Sequence, residues 1–207
     1  MSRLTVEALR YHGCGPIDFT IADGTCASLT GASGAGKTLL LRAIADLDPH
    51  DGRALLDDVP ATALPASTWR RRVAMLPAES SWWYESVGEH FGIAGAAGAA
   101  PSTERLALLG FTPEVMAWAI ARLSTGERQR LAILRLLAQS PHALLLDEPT
   151  ANLDASNVTA VESLIATYRR DEHASVLWVT HDPEQRGRVA SHHYRIEDGT
   201  VRAEPTP

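Results

Sequence analysis

The sequence is poor in cysteine. Cys14 and Cys26 are its two cysteines, with no CxxC spacing and no Cys/His cluster beside them. They read as reduced thiols of a cytosolic protein, not as a disulfide framework. No run approaches the about 18 apolar residues of a membrane span. The opening residues, Met1 to Glu7, carry an early acid and no long apolar stretch, so no signal peptide is expected there. Excess basic charge is also missing. The formal net charge is -6, which argues against a broad nucleic-acid footprint. There is no internal repeat, and no heptad run between Lys37 and Ser124. What remains is 207 residues, 45% of them hydrophobic, with ordinary Gly and Pro usage. That is one folded domain with room for a small lobe.

Short apolar runs alternate with turn signals and helical stretches. Strands are expected at Leu4 to Leu9, Ile17 to Ile21, Cys26 to Thr30, Arg53 to Leu56, Val73 to Leu76, Ala143 to Leu146 and Val176 to Val179, with a closing hairpin around Asp198-Gly199. Helices are expected at Leu39 to Leu47, Glu127 to Ala138 and Asn157 to Arg169, and one closing at Trp69 to Arg72. Between the strand groups, Val87 to Phe91, Thr103 to Leu109 and Pro113 to Ile120 read as helical. The small-residue run from Gly92 to Pro101 reads as a flexible connection, and the Pro205-Thr206-Pro207 tail as frayed. Apolar strands alternating with helices predict an α/β fold with a largely parallel sheet covered on both faces.

Gly31-Ala32-Ser33-Gly34-Ala35-Gly36-Lys37-Thr38 matches G-x-x-x-x-G-K-[ST] at every fixed position, after a strand and before a helix. Such a loop turns successive N–H groups toward phosphate oxygens, and the helix N-terminus adds partial positive charge. Lys37 is expected to reach the β- and γ-phosphates of a nucleotide, and Thr38 to offer its hydroxyl to Mg²⁺. Ala143-Leu144-Leu145-Leu146-Asp147-Glu148 is an apolar strand ending in two acids. Asp147 is placed to hold Mg²⁺, and Glu148 to act as general base toward water. His181 follows the apolar strand Ser175 to Thr180, at the strand end where α/β sheets gather ligands, within reach of a γ-phosphate. Ser124-Thr125-Gly126-Glu127 opens a helix. Ser124 and Glu127 have capping-box spacing, and a helix N-terminus is also an anion site.

The order of these motifs, with Leu123-Ser124-Thr125-Gly126, Asn152-Leu153-Asp154 and Thr180-His181-Asp182, resembles that of ABC ATPases over nearly the whole chain. The resemblance implies a P-loop NTPase fold with a RecA-like core at about 1–81 and 123–207, an antiparallel β patch, and a helical lobe at about 82–122. It implies ATP hydrolysis with Mg²⁺ as cofactor, and a homodimer that sandwiches two ATPs. Ser124, Thr125, Gly126 and Glu127 would then serve the partner's ATP. Tyr11 would stack on adenine, and Asn152-Leu153-Asp154 would couple the two sites. The expected partner is an integral membrane permease, holding the subunit at the inner face of the cell membrane. A narrower likeness to short stand-alone iron-export permease ATPases is carried by Trp69-Arg70-Arg71-Arg72-Val73, Val87 to Phe91 and Val176 to Asp182. The alternative is a soluble family member acting on nucleic acid or ribosomes, which the absence of a coiled-coil insertion disfavours.

Two departures stand out. Thr125 and Glu127 replace the usual Gly and Gln of the signature. After Val73 to Pro77, where relatives place a Gln, the gapless reading has Ala78; Glu79, next, reads either as a substitute oxygen ligand for Mg²⁺ or as a residue that faces solvent or caps the helix before Trp82. Trp82-Trp83-Tyr84 reads either as core or as a permease-docking groove. Arg70-Arg71-Arg72 reads as a solvated face, and His192-His193 as residues on opposite strand faces rather than a metal pair.

Overall fold

The computed structural model describes residues 2–92 and 100–205. The chain opens with two antiparallel strands, β1 (Leu4–Tyr11) and β2 (Cys14–Ile21), then β3 (Cys26–Thr30) and helix α1 (Lys37–Ile44). The strands β4 (Asp51–Leu56) and β5 (Val59–Pro60) extend the first pair into a four-stranded antiparallel sheet, in the order β2-β1-β4-β5. Next come α2 (Ala66–Arg72), β6 (Val73–Leu76), α3 (Glu89–Gly92), α4 (Thr103–Leu108) and α5 (Thr125–Leu137). The chain finishes with β7 (Ala143–Asp147), α6 (Ala155–Asp171), β8 (Ser175–Val179), α7 (Pro183–Val189), β9 (His192–Glu197) and β10 (Thr200–Glu204). The second sheet runs β10-β9-β3-β8-β7-β6, parallel except for the β9–β10 hairpin. The α/β expectation therefore holds.

Every residue of β7 and β8 is buried, as a parallel strand covered on both faces must be. Side-chain alternation then divides the core in two. Leu144, Leu146, Val176 and Trp178 pack on one face with α5, α6 and the residues Val87, Leu109 and Val115. Ala143, Leu145, Leu177 and Val179 pack on the other with Leu40, Leu41 and Ile44 of α1 and the antiparallel sheet. The register pairs Leu146 with Trp178 and Asp147 with Val179, so the carboxyl ends of β7 and β8 lie side by side. Pairing Leu29 with Val179 brings the end of β3 to the same edge.

Trp69 ties α2 to this arrangement. It is 0% exposed, and its indole N–H donates to the Ile44 carbonyl at the end of α1, at 3.0 Å. Trp69→Ala removes a large buried ring and its hydrogen bond. It is expected to destabilise the fold by about 3–5 kcal/mol, measured by urea unfolding.

The stretch expected to be helical at Pro113 to Ile120 is different. It forms short 3-10 turns at Pro113–Ala117 and Ile120–Arg122, with Trp118 extended between them. The reason lies in the partner segment. Gly88 N and Val87 N donate to Met116 and Trp118 carbonyls, and Ile120 N donates to Glu85, so this backbone pairs across instead of coiling. The helix expected at Val87 to Phe91 starts two residues later and spans Glu89–Gly92. α1 stops at Ile44, earlier than expected, because Asp46 turns the chain with φ 55. Helix α7 was not expected, although Asp182 caps it and Pro183 occupies its first position. The run between Gly92 and Pro101 lies at 93–99 outside the described residues, as do Thr206 and Pro207 of the tail. No described helix is long and apolar enough to cross a membrane.

Candidate functional site

The phosphate loop leaves β3 and enters α1. Gly31 has φ 153, and a Cβ there would lie 2.6 Å from the Ile196 carbonyl oxygen, so no other residue fits. Gly36 caps α1 at φ 95 and hands over to Lys37. Lys37 is 7% exposed, and its ammonium donates to the carbonyls of Gly31 (2.9 Å) and Ala32 (3.0 Å). The cation thus lies across the loop. Ala32, Ser33 and Gly34 at the loop crest are exposed.

Thr38 follows, and its hydroxyl donates to Asp147 Oδ2 at 2.7 Å. The two oxygens expected to serve a divalent cation are already in contact. Burial raises the Asp147 carboxyl above its ordinary range, against the Thr38 hydrogen bond, and the neighbouring Glu148 charge raises it further. Glu148 continues from β7 in a left-handed backbone (φ 47), with its N–H donating to Val179 O. This turn brings its Oε1 to 3.0 Å from His181 Nε2. Lys37, Thr38, Asp147, Glu148 and His181 therefore gather at the carboxyl ends of three neighbouring strands.

Gln185, on the unexpected helix α7, holds the floor of this site. It is buried, accepts from Thr180 Oγ1 (2.8 Å), and donates to Thr150 Oγ1 (2.8 Å) and Glu162 Oε1 (2.9 Å). It thus links the loop after Glu148 to the residue before His181. The Asp182-Pro183 start of α7 was the available signal.

The signature residues lie elsewhere on the surface. Ser124 and Glu127 form a reciprocal capping box, with Glu127 Oε2 accepting from both N and Oγ of Ser124 at 2.8 Å. Those bonds hold the Glu127 carboxyl below its usual range. Thr125 opens α5 as an ordinary right-handed residue. Gly126 packs on the neighbouring loop, where a Cβ would meet Leu153 Cδ2 at 3.3 Å. Among the described residues no hydrogen bond joins Ser124 to Glu127 with the phosphate loop. Glu79 is exposed. Among the described residues no three His, Cys, Asp or Glu gather as a metal cluster.

Tyr11 corrects an expectation. Its ring is 3% exposed, and its hydroxyl donates to Gly36 O at 3.4 Å. Burial raises its pKa, and nearby Cys14 adds to the shift. A ring packed beneath the phosphate loop has no free face for adenine, so its observed part is to support that loop. Neighbouring His12 is exposed. Trp82 packs against the core, while Trp83 is 63% exposed, and the Arg135 guanidinium lies 4.4 and 4.8 Å from the two ring centres. His192 is exposed and His193 buried against Ser28, as the strand alternation predicted.

A phosphate loop ending in Lys-Thr, beside an Asp-Glu strand end on a parallel sheet, defines a P-loop nucleoside triphosphatase. The family described as ABC transporter matches residues 14–151, and the chain belongs to that family as an ATP-binding, ATP-hydrolysing subunit. An aliphatic sulfonates import ATP-binding protein from Frankia alni is 34% identical over 206 residues, covering 97% of this chain and 80% of that one. A phosphate import ATP-binding protein from Aeropyrum pernix is 29% identical over 234 residues, covering 97% and 87%. Among solved structures, a bacterial Atm1-family ABC exporter with ATP bound superposes with a TM-score of 0.82 at 19% identity, covering 97% of this chain but 38% of that one. That likeness speaks for the fold alone.

Proposed function

We propose that this chain drives a separate membrane permease by hydrolysing ATP between two copies of itself, at the inner face of the cell membrane. The reading is carried by the convergence of the phosphate loop with Asp147, Glu148 and His181 at one sheet edge. The loop amides from Gly31 to Gly36 and the Lys37 ammonium bind the β- and γ-phosphates. Glu148 accepts a proton from the attacking water, while His181 holds that carboxylate and faces the γ-phosphate. Thr38 and Asp147, two hard oxygen donors already in contact, fit Mg²⁺, which would neutralise phosphate charge when bound. Ser124, Thr125, Gly126 and Glu127 serve the nucleotide of the second copy. The exposed His12 ring, rather than Tyr11, offers adenine a face. The described residues of 82–92 and 100–122 belong to the lobe that meets the permease, with exposed Trp83 at the contact.

The direction we propose is import of a small solute. The sulfonate and phosphate relatives are named for import, as is a Fe(3+) ions import ATP-binding protein from Rhizobium meliloti at 33% identity. The iron-export expectation rests on short motif likenesses alone. The test is to pull this subunit from detergent-solubilised membranes and identify what accompanies it by mass spectrometry. A polytopic permease that raises ATP turnover on reconstitution is the expected partner. Recovery without any polytopic membrane protein counts against the reading.

Glu79 is proposed to supply an oxygen ligand to Mg²⁺, in place of the Gln that Ala78 lacks. Pro77 ends β6, so the chain beyond need not keep strand alternation. Glu79→Ala is expected to raise the Mg²⁺ concentration for half-maximal ATP turnover by about tenfold, the scale of one lost charge-assisted contact. Unchanged Mg²⁺ dependence and turnover would show that the loop contributes no ligand.

A further inference from the structure

A second cleft opens on the flank of the parallel sheet, between α6 and α7, with a volume of about 220 Å³. Cys26 of β3 and Trp178 of β8 form its base, and Ile165 and Val189 its apolar walls. Arg169 and Arg188 stand on its lining. Two buried donors here find no acceptor among the described residues, the indole Nε1 of Trp178 and Nε of Arg169. Buried donors are nearly always paired, so two in one cleft point to an acceptor that comes from outside the chain. The two arginines also differ. Arg188 is held by Glu162 through two nitrogens at 2.9 and 3.0 Å, whereas Arg169 has no carboxylate partner among the described residues. The Cys26 thiol adds no negative charge, since burial pushes its pKa up to about 12.

We propose that this cleft binds a small organic carboxylate with a compact apolar body, at a site separate from the nucleotide. The carboxylate meets Arg169 and the indole N–H, and the apolar body fills the space over Ile165 and Val189. The size fits, because a cavity of about 150 Å³ accepts a benzene ring. The cleft is also wired to the ATP site. Glu162, which grips Arg188, accepts from Gln185, and Gln185 bridges Thr150 and Thr180 on either side of the Glu148–His181 pair. Arg188 lines the same cleft, so a carboxylate on Arg169 also competes with Glu162 for Arg188 and disturbs that bridge; occupancy then changes ATP turnover, and by linkage nucleotide changes affinity for the carboxylate.

The test uses benzoate, with benzyl alcohol as its uncharged counterpart, titrated calorimetrically into the full chain without nucleotide. Benzoate is expected to bind in the millimolar range, and benzyl alcohol about tenfold more weakly, the scale of a charge-assisted bond. Arg169→Met should bring benzoate down to the alcohol's level. Ala166→Trp, at an exposed lining position, should block both while leaving ATP binding intact. No binding to the unmodified chain, or benzoate binding unchanged in either variant, overturns the site. Benzoate is further expected to change ATP turnover in the unmodified chain and not in Ala166→Trp. The same response in both overturns the coupling. Because binding is read without nucleotide, failure here is separable from failure of the ATPase reading.

Discussion

Replacing Lys37 by alanine is expected to reduce ATP turnover by at least about 100-fold while the fold persists. A preorganised donor aimed at developing charge typically contributes on that scale. Lys37 supplies the cation nearest the phosphate loop, and its ammonium already spans the carbonyls of Gly31 and Ala32. Its removal takes away one tether of the loop and, on the proposed reading, the charge that meets the β- and γ-phosphates. The tether concerns carbonyls near solvent, which water can satisfy, so thermal unfolding without nucleotide should change little. Turnover is read by phosphate release at saturating Mg-ATP, with nucleotide binding measured separately. Activity at the level of the unmodified chain would remove the phosphate loop from the mechanism.

The second large effect concerns Glu148→Gln. The amide keeps the shape of the side chain and can still accept from His181 Nε2, so the 3.0 Å contact should survive. It cannot take a proton from water. Loss of a general base lowers the rate by about 10²–10⁴-fold. With chemistry stalled and binding retained, the chain is expected to accumulate as an ATP-bound dimer, seen as a doubled mass by sedimentation. The experiment is repeated with the membrane partner, because a permease can bring two subunits together. A variant that stays monomeric at saturating ATP in both settings would rule out the two-copy sandwich. Rapid turnover would move the general base elsewhere.

Residues whose role follows from local chemistry were the readable ones. The phosphate loop announced itself by glycine spacing between a strand and a helix, and Asp147 by an apolar strand with no other reason to end in acids. The Ser124–Glu127 box was legible because capping is a contact over three residues. What escaped depends on distant partners. Pro113 to Ile120 has the composition of a helix, but its backbone bonds with residues 85–88, and no local pattern encodes that pairing. Tyr11 occupies a plausible position for stacking, yet its burial is decided by the antiparallel sheet and the loop that close over it. Gln185 has no motif at all. Its importance comes from three partners on three other segments.

The left-handed backbone at Glu148 has a consequence for how this protein varies. A non-glycine residue held there costs about 1 kcal/mol or more. Glycine or asparagine would sit at the same turn with less strain and leave the strand before it untouched. Laboratory evolution toward heat resistance, scored on folding alone, would therefore drift away from the carboxylate at this position. The chain carries a standing conflict between robustness and turnover at one peptide unit, and its stability as found is not the most that this architecture could reach.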